Sequence, residues 1–141
     1  MKKYILPLLL CAALLLSACA QAEQIQTGIG KCAVSQEFET SIMANSGEEV
    51  KSGPGNILLV ITLTPEQEVA VNLDQADEYF LGGTKAKLDS QVYDLKCVVY
   101  ERKNAGDPVI KCRLVFEVKD NGYADAAEAP SVELILPSSQ Q

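Results

Sequence analysis

The sequence contains no histidine and no tryptophan. Without histidine it lacks the commonest general base near neutral pH and the commonest metal ligand. It also has no Cys-x-x-Cys pair, so the clustered Cys and His ligands of a zinc site are missing. No Ser-x-x-Lys occurs after residue 18, which removes the usual substitute for a Ser–His nucleophile. Gly28-Ile29-Gly30 lacks the further glycine and the helix that a phosphate-binding loop requires. Positive charge is scarce, with 12 Lys and Arg against 19 Asp and Glu. A chain this acidic repels nucleic acid and anionic lipid headgroups. No apolar run reaches the roughly 20 residues of a membrane-spanning helix.

What is present begins at the N-terminus. Lys2 and Lys3 precede an apolar stretch, Ile5–Leu16, broken only by Pro7, and Leu16-Ser17-Ala18-Cys19 follows. Charge, short apolar core and small residues, in that order, make a secretory signal peptide. The last four residues resemble the lipobox of bacterial lipoproteins. That resemblance implies a signal peptide over 1–18, cleavage before Cys19 and a diacylglyceryl group on its thiol. It also implies anchoring to the cell membrane outside the cytoplasm, with palmitate among the acyl chains. Ala20 after the Cys implies the outer membrane where a bacterium has two. Two acyl chains anchor durably where one is marginal. Cys11 would be lost with the signal peptide.

From Cys19 onward 123 residues remain, with all 19 acids and 10 of the bases. This length suits one domain with a core of its own. Residues 19–29 are polar and small, without periodicity, and read as a flexible tether. Residues 30–137 read as the folded domain and 138–141 as a polar tail.

In the domain, the alternation of Cys32, Val34, Gln36 and Phe38 predicts a first strand. Ile57–Leu63 is apolar at every position but one, Thr62, and predicts a central strand covered on both faces. Residues 64–81 carry two patterns. Thr64-Pro65-Glu66-Gln67 is a capping box with Pro at the first helical position, and Val69, Leu73, Ala76 and Phe80 fall at helical spacing before Gly82-Gly83. Against this, Val69, Val71 and Leu73 alternate and Tyr79-Phe80-Leu81 reads as a short strand, so strand plus loop is favoured over a helix. Lys85–Leu88 predicts a short strand. From Tyr93 a longer one places Tyr93, Leu95, Cys97 and Val99 on one face. After the turn Asn104–Pro108, a return strand turns Ile110, Cys112, Leu114, Phe116 and Val118 one way. Val132–Leu136 ends the domain.

Several short strands separated by polar loops predict an all-β fold, an antiparallel β-sandwich. Gly106-Asp107-Pro108-Val109-Ile110-Lys111-Cys112-Arg113-Leu114-Val115-Phe116-Glu117-Val118, with the terminal Val132–Leu136 strand, resembles the end of the immunoglobulin-like domain of unknown function 4352. That domain is frequent on bacterial surface lipoproteins. The resemblance implies an immunoglobulin-like sandwich over residues 30–136. Cys112 stands where the pattern usually has Gly. The family implies a fold and an address, not a reaction.

Two acidic groupings invite a metal reading. Glu117, Asn121, Gly122, Asp125 and Glu128 match five positions of a calcium loop, but Lys119 stands at a ligand position and Glu117 reads as strand. Asp74, Asp77 and Glu78 form the second cluster. In both, a solvated acidic surface is the expectation, and no metal or cofactor is expected. With Cys19 lipidated, three cysteines remain, Cys32, Cys97 and Cys112. Paired positions in a hairpin sum to a constant. A sum of 209 places Cys97 directly across from Cys112, and 211 makes them diagonal and too far apart for a bond. A Cys97–Cys112 disulfide is favoured, with a bridge from Cys32 to either, or three free thiols, as alternatives.

These readings lead to a lipid-anchored, acidic domain that works by binding rather than by catalysis. The expected partners are the membrane, through Cys19, and an envelope protein, a peptide or a small ligand, not nucleic acid. The alternative is a structural or accessory subunit of a cell-envelope complex.

Overall fold

The structure is a computed structural model that describes residues 23–66, 73–104, 107–125 and 130–137. Strands dominate. Glu23–Thr27 (β1), Gly30–Glu39 (β2), Asn56–Pro65 (β5), Lys111–Lys119 (β9) and Cys97–Glu101 (β8) form one five-stranded sheet in the order β1-β2-β5-β9-β8. Every neighbouring pair in it is antiparallel. Val132–Ile135 (β10), Lys85–Leu88 (β6) and Gln91–Asp94 (β7) form a three-stranded antiparallel sheet in the order β10-β6-β7. Ser41–Met43 (β3) and Glu49–Lys51 (β4) form a separate hairpin. Among the described residues the one α-helix, Leu73–Leu81 (α1), lies between β5 and β6 in the chain. The architecture is the expected all-β, sandwich-like one.

β5 is the middle strand because it can bury both faces. Ile57, Leu59, Ile61 and Leu63 point into the main core, and Leu58 and Val60 point the opposite way into a second, smaller cluster. The main core fills the space between the five-stranded sheet and a second layer made of the three-stranded sheet and α1. Phe80 and Ala76 come from the helix, Ala86 and Leu88 from β6, Val132 from β10, and Cys112, Leu114, Phe116 and Val118 from β9. On the other side of the large sheet, Leu58, Val60, Val99 and Val115 are covered by Ile42 and Val50 of the β3–β4 hairpin.

Three expectations are corrected. Residues 23–29 belong to the fold rather than to a tether, because β1 pairs with β2 from Glu23↔Val34 to Thr27↔Gly30. The polar Thr27 is tolerated in a buried position because its hydroxyl donates to the Gly30 carbonyl at 2.8 Å and accepts from the Ile29 N–H at 3.0 Å. Residues 73–81 are helix, not strand and loop. Ala76 and Phe80, four apart, share the buried face. The capping box does not start this helix, since Thr64 and Pro65 pair with Ala33 and Cys32 at the end of β5. Residues 67–72 lie outside the described residues. Finally, the longer strand expected from Tyr93 is two strands in different sheets. Leu95 and Lys96 carry the chain from β7 across to β8.

The β1–β2 turn is shaped by its glycines. Gly30 has φ +106°, a conformation that suits glycine. At Gly28 a Cβ atom would fall 2.7 Å from the Tyr79 ring, so glycine lets α1 pack directly on this turn.

Candidate functional site

One registered row crosses the whole five-stranded sheet: Glu23, Val34, Leu63, Cys112 and Tyr100 stand side by side. Its inward face meets α1. There the Tyr100 hydroxyl donates to Asp77 Oδ1 at 2.8 Å, tying the helix to β8. Burial is the main cause that pushes the Tyr100 phenol far up, and acceptance of its proton by Asp77 adds to it. Cys112, fully buried beside Tyr100, is also pushed strongly up, by burial first and then by Cys32 and Asp77. Cys32 is buried too. Its Sγ lies 3.6 Å from Thr27 Oγ1 and 3.6 Å from the Gly30 carbonyl, to which it donates. Burial raises the Cys32 thiol, against a lowering by Thr27. A nucleophilic or metal-binding cysteine needs its thiolate. These two are held as thiols inside the core.

The favoured Cys97–Cys112 disulfide is ruled out by register. In the β8–β9 hairpin Tyr100 opposes Cys112 and Cys97 opposes Val115, so paired positions sum to 212. An even sum puts the two cysteines on opposite faces of the sheet. Cys112 points into the main core and Cys97 packs with the small cluster under the β3–β4 hairpin. A bridge from Cys32 to Cys112 is blocked in another way. Both face the main core, but β5 runs between their strands. Two strand spacings are about 9.6 Å, beyond the roughly 7 Å limit for bridged Cα atoms. All three are free thiols.

Glu117 has a different role from the one a calcium loop would give it. Its Oε2 accepts from the Gly53 N–H at 2.7 Å and from Asn56 Nδ2 at 2.8 Å, and its Oε1 accepts from Lys96 Nζ at 2.9 Å. These bonds, those from Asn56 and Gly53 foremost, pull its carboxyl down to about 2. Both oxygens are therefore committed to fastening the β4–β5 turn and the start of β8 onto β9. Asn121, Gly122 and Asp125 lie beyond β9, where Asp120 Oδ1 accepts from the Gly122 N–H at 2.9 Å. Glu128 lies outside the described residues. Asp74, Asp77 and Glu78 stand on α1, with Asp77 engaged by Tyr100. Among the described residues no group of three or more His, Cys, Asp or Glu side chains is placed to hold a metal ion.

Cys19 and the signal peptide lie outside the described residues, and among the described ones no helix is long and apolar enough to cross a membrane. The Tyr100–Asp77 bond and the Glu117 clasp were not visible in the sequence. The first needs the helix and the sheet switch at Leu95–Lys96. The second joins residues about sixty positions apart, and no local pattern marks it. No family model matches the chain, and no curated protein or solved structure matches it.

Proposed function

We propose that this chain is the precursor of a bacterial lipoprotein, anchored outside the cytoplasm by lipid on Cys19, whose folded part is a non-catalytic binding module. The observation that carries the reading is Leu16-Ser17-Ala18-Cys19 placed directly after a positively charged, short apolar leader. The choice of binding over catalysis is supported by the chemistry of the domain. Histidine is absent. Cys32 and Cys112 are buried with raised thiols, and the Glu117 carboxylate is fully engaged. The likeness to the immunoglobulin-like domain of unknown function 4352 is part of this proposal and rests on residues 106–118.

A stand-alone binder is favoured over a subunit of an envelope complex by the distribution of exposed apolar side chains. Among the described residues the large ones are Met43, Leu81 and Val92. They lie on β3, α1 and β7, so they do not make up one broad apolar face of the kind that marks a permanent interface.

Expression of the full chain in a bacterial host tests the anchor. The wild-type protein should partition into detergent, with Cys19 as its lipid-modified first residue by mass spectrometry, and Cys19→Ser should accumulate as uncleaved precursor. A wild-type product found entirely in the medium, or beginning at another residue, would overturn the reading.

A further inference from the structure

We infer that the β1 edge of the five-stranded sheet is the side of the domain that faces the membrane, and that the β8 edge faces away from it. The inference rests on the lipid anchor at Cys19 and deepens that reading. It starts from the correction to the tether. β1 begins at Glu23, and only Ala20, Gln21 and Ala22 separate it from Cys19. Four residue steps of fully extended chain reach about 14 Å. The lipid-bearing residue therefore lies within about 14 Å of Glu23 by any route. From Glu23 the registered row through Val34, Leu63 and Cys112 ends at Tyr100 on β8. Four strand spacings put Tyr100 about 19 Å further across the sheet. An anchor shorter than the sheet is wide keeps the Glu23 end of this row near the bilayer and leaves room for the Tyr100 end to stand farther off.

The side chains of β1 agree with this. Glu23 is the one charged residue of β1, and Gln24, Ile25, Gln26 and Thr27 are uncharged, although acids far outnumber bases in the chain. An edge with a single acid can approach headgroups that would repel a strongly acidic one. Glu37 and Glu39, exposed further along β2, limit how far that edge can tip toward anionic lipid. The placement also answers a structural problem. β1 is paired on one side only, and an open strand edge invites pairing with other chains. A bilayer alongside it keeps such strands away. The opposite edge is guarded differently, because the Tyr100 N–H on β8 donates to Asn45 Oδ1 of the β3–β4 turn at 3.1 Å.

The absence of tryptophan supplies the test. Gln24→Trp on β1 and Lys103→Trp just beyond β8 place a single donor fluorophore at exposed positions of the two edges. The lipidated proteins are reconstituted into phosphatidylcholine vesicles carrying a dansyl-labelled headgroup lipid, and energy transfer from Trp is measured. Transfer should be several-fold greater from Gln24→Trp than from Lys103→Trp. A Gly-Ser spacer of about twelve residues after Ala22 should erase most of that difference, since a flexible linker releases the orientation. Equal transfer from both sites with the native tether, in protein that floats with the vesicles, overturns the orientation and leaves the anchor intact. Protein that does not float with the vesicles overturns the anchor and the orientation together.

Discussion

The two faces of the five-stranded sheet solve the burial problem differently. The inner face is mostly apolar, with Thr27 and Gln36 as polar exceptions, and is covered by a second sheet and a helix. The outer face has an apolar centre, Leu58, Val60, Val99 and Val115, under a hairpin of two three-residue strands. Around that centre it is polar. Arg113 pairs with Glu101 at 2.9 Å and Lys96 with Glu117 at 2.9 Å, both on this face. The difference shows how a chain of modest size can bury a central strand twice over. One face supplies most of the hydrophobic free energy, and the other needs only enough cover to keep four side chains dry. The boundary runs through single strands: in β9, Phe116 belongs to one face and Val115 to the other.

The cysteines give the largest effect by which the comparison can be broken. Cys32 and Cys112 are fully buried and Cys97 is half-buried. Alkylation of Cys112 in the native protein should be slower than in the unfolded chain by on the order of 1,000-fold, the factor set by a marginal global stability. Cys97 should react before either of the others. Timed labelling followed by peptide mapping measures this. A linked Cys97–Cys112 peptide would mean that the β8–β9 register, and with it the assignment of faces, is wrong.

Next come neighbouring truncations in β9. Phe116→Ala opens the main core and should cost about 3–5 kcal/mol. Val115→Ala removes a smaller side chain under a thinner cover that can settle, and should cost about 1–2 kcal/mol. Urea denaturation reads both. Equal losses would show that the outer cluster is as tightly built as the inner one.

Glu117 follows. Its folded carboxyl titrates near 2, while an ordinary glutamate does so at 4.5. Its contribution to stability is therefore present above pH about 5 and is lost as the pH falls through the range down to 2. For a shift of this size the limit is about 3 kcal/mol, and screening at a partly exposed site reduces it to about 1–2 kcal/mol. Glu117→Gln should lose that amount at neutral pH, and its melting temperature should fall less steeply below pH about 5 than that of the wild type. Parallel pH curves for the two proteins would mean that the carboxylate holds nothing in place. The smallest effect belongs to Lys111→Ala at the rim of the outer face, which should cost less than about 0.5 kcal/mol.

The parts of this fold that were legible in the sequence are those where burial is decided locally. β5 announced itself because nearly every residue from Ile57 to Leu63 is apolar, and β9 because its alternation is sharp. The parts that were misread depend on partners far away. β1 looked like a tether because Thr27, which faces inward, is polar and meets its needs through Gly30 and Ile29. The segment from Tyr93 alternates without interruption across Leu95–Lys96, and a period of two carries no information about which sheet a strand joins. The cysteine pairing failed by three residues of register, 212 in place of 209, and any odd slip turns a side chain to the opposite face. The helix lost to a strand reading because Leu73 fits both periods, and the residues that decide between them, Ala76 and Phe80, need a sheet to pack on. Of the chemistry, the want of histidine was plain at once, whereas the clasp around Glu117 needed the folded chain.

The passage from β7 to β8 has a mechanical consequence. Leu95 and Lys96 are a covalent hinge between the two layers, placed at one margin of the smaller sheet. At its other margin β10 is held to the large sheet by packing and by contacts such as the bond from Gln36 Nε2 to the Pro130 carbonyl, at 3.3 Å. Shear between the layers is therefore held short at the β7 side by a two-residue link, and at the β10 side by the much longer connection from β9 and by non-covalent contacts. Thermal breathing should open the sandwich like a book whose spine is Leu95–Lys96, so that the amides of β10 exchange with solvent before those of β6 and β7.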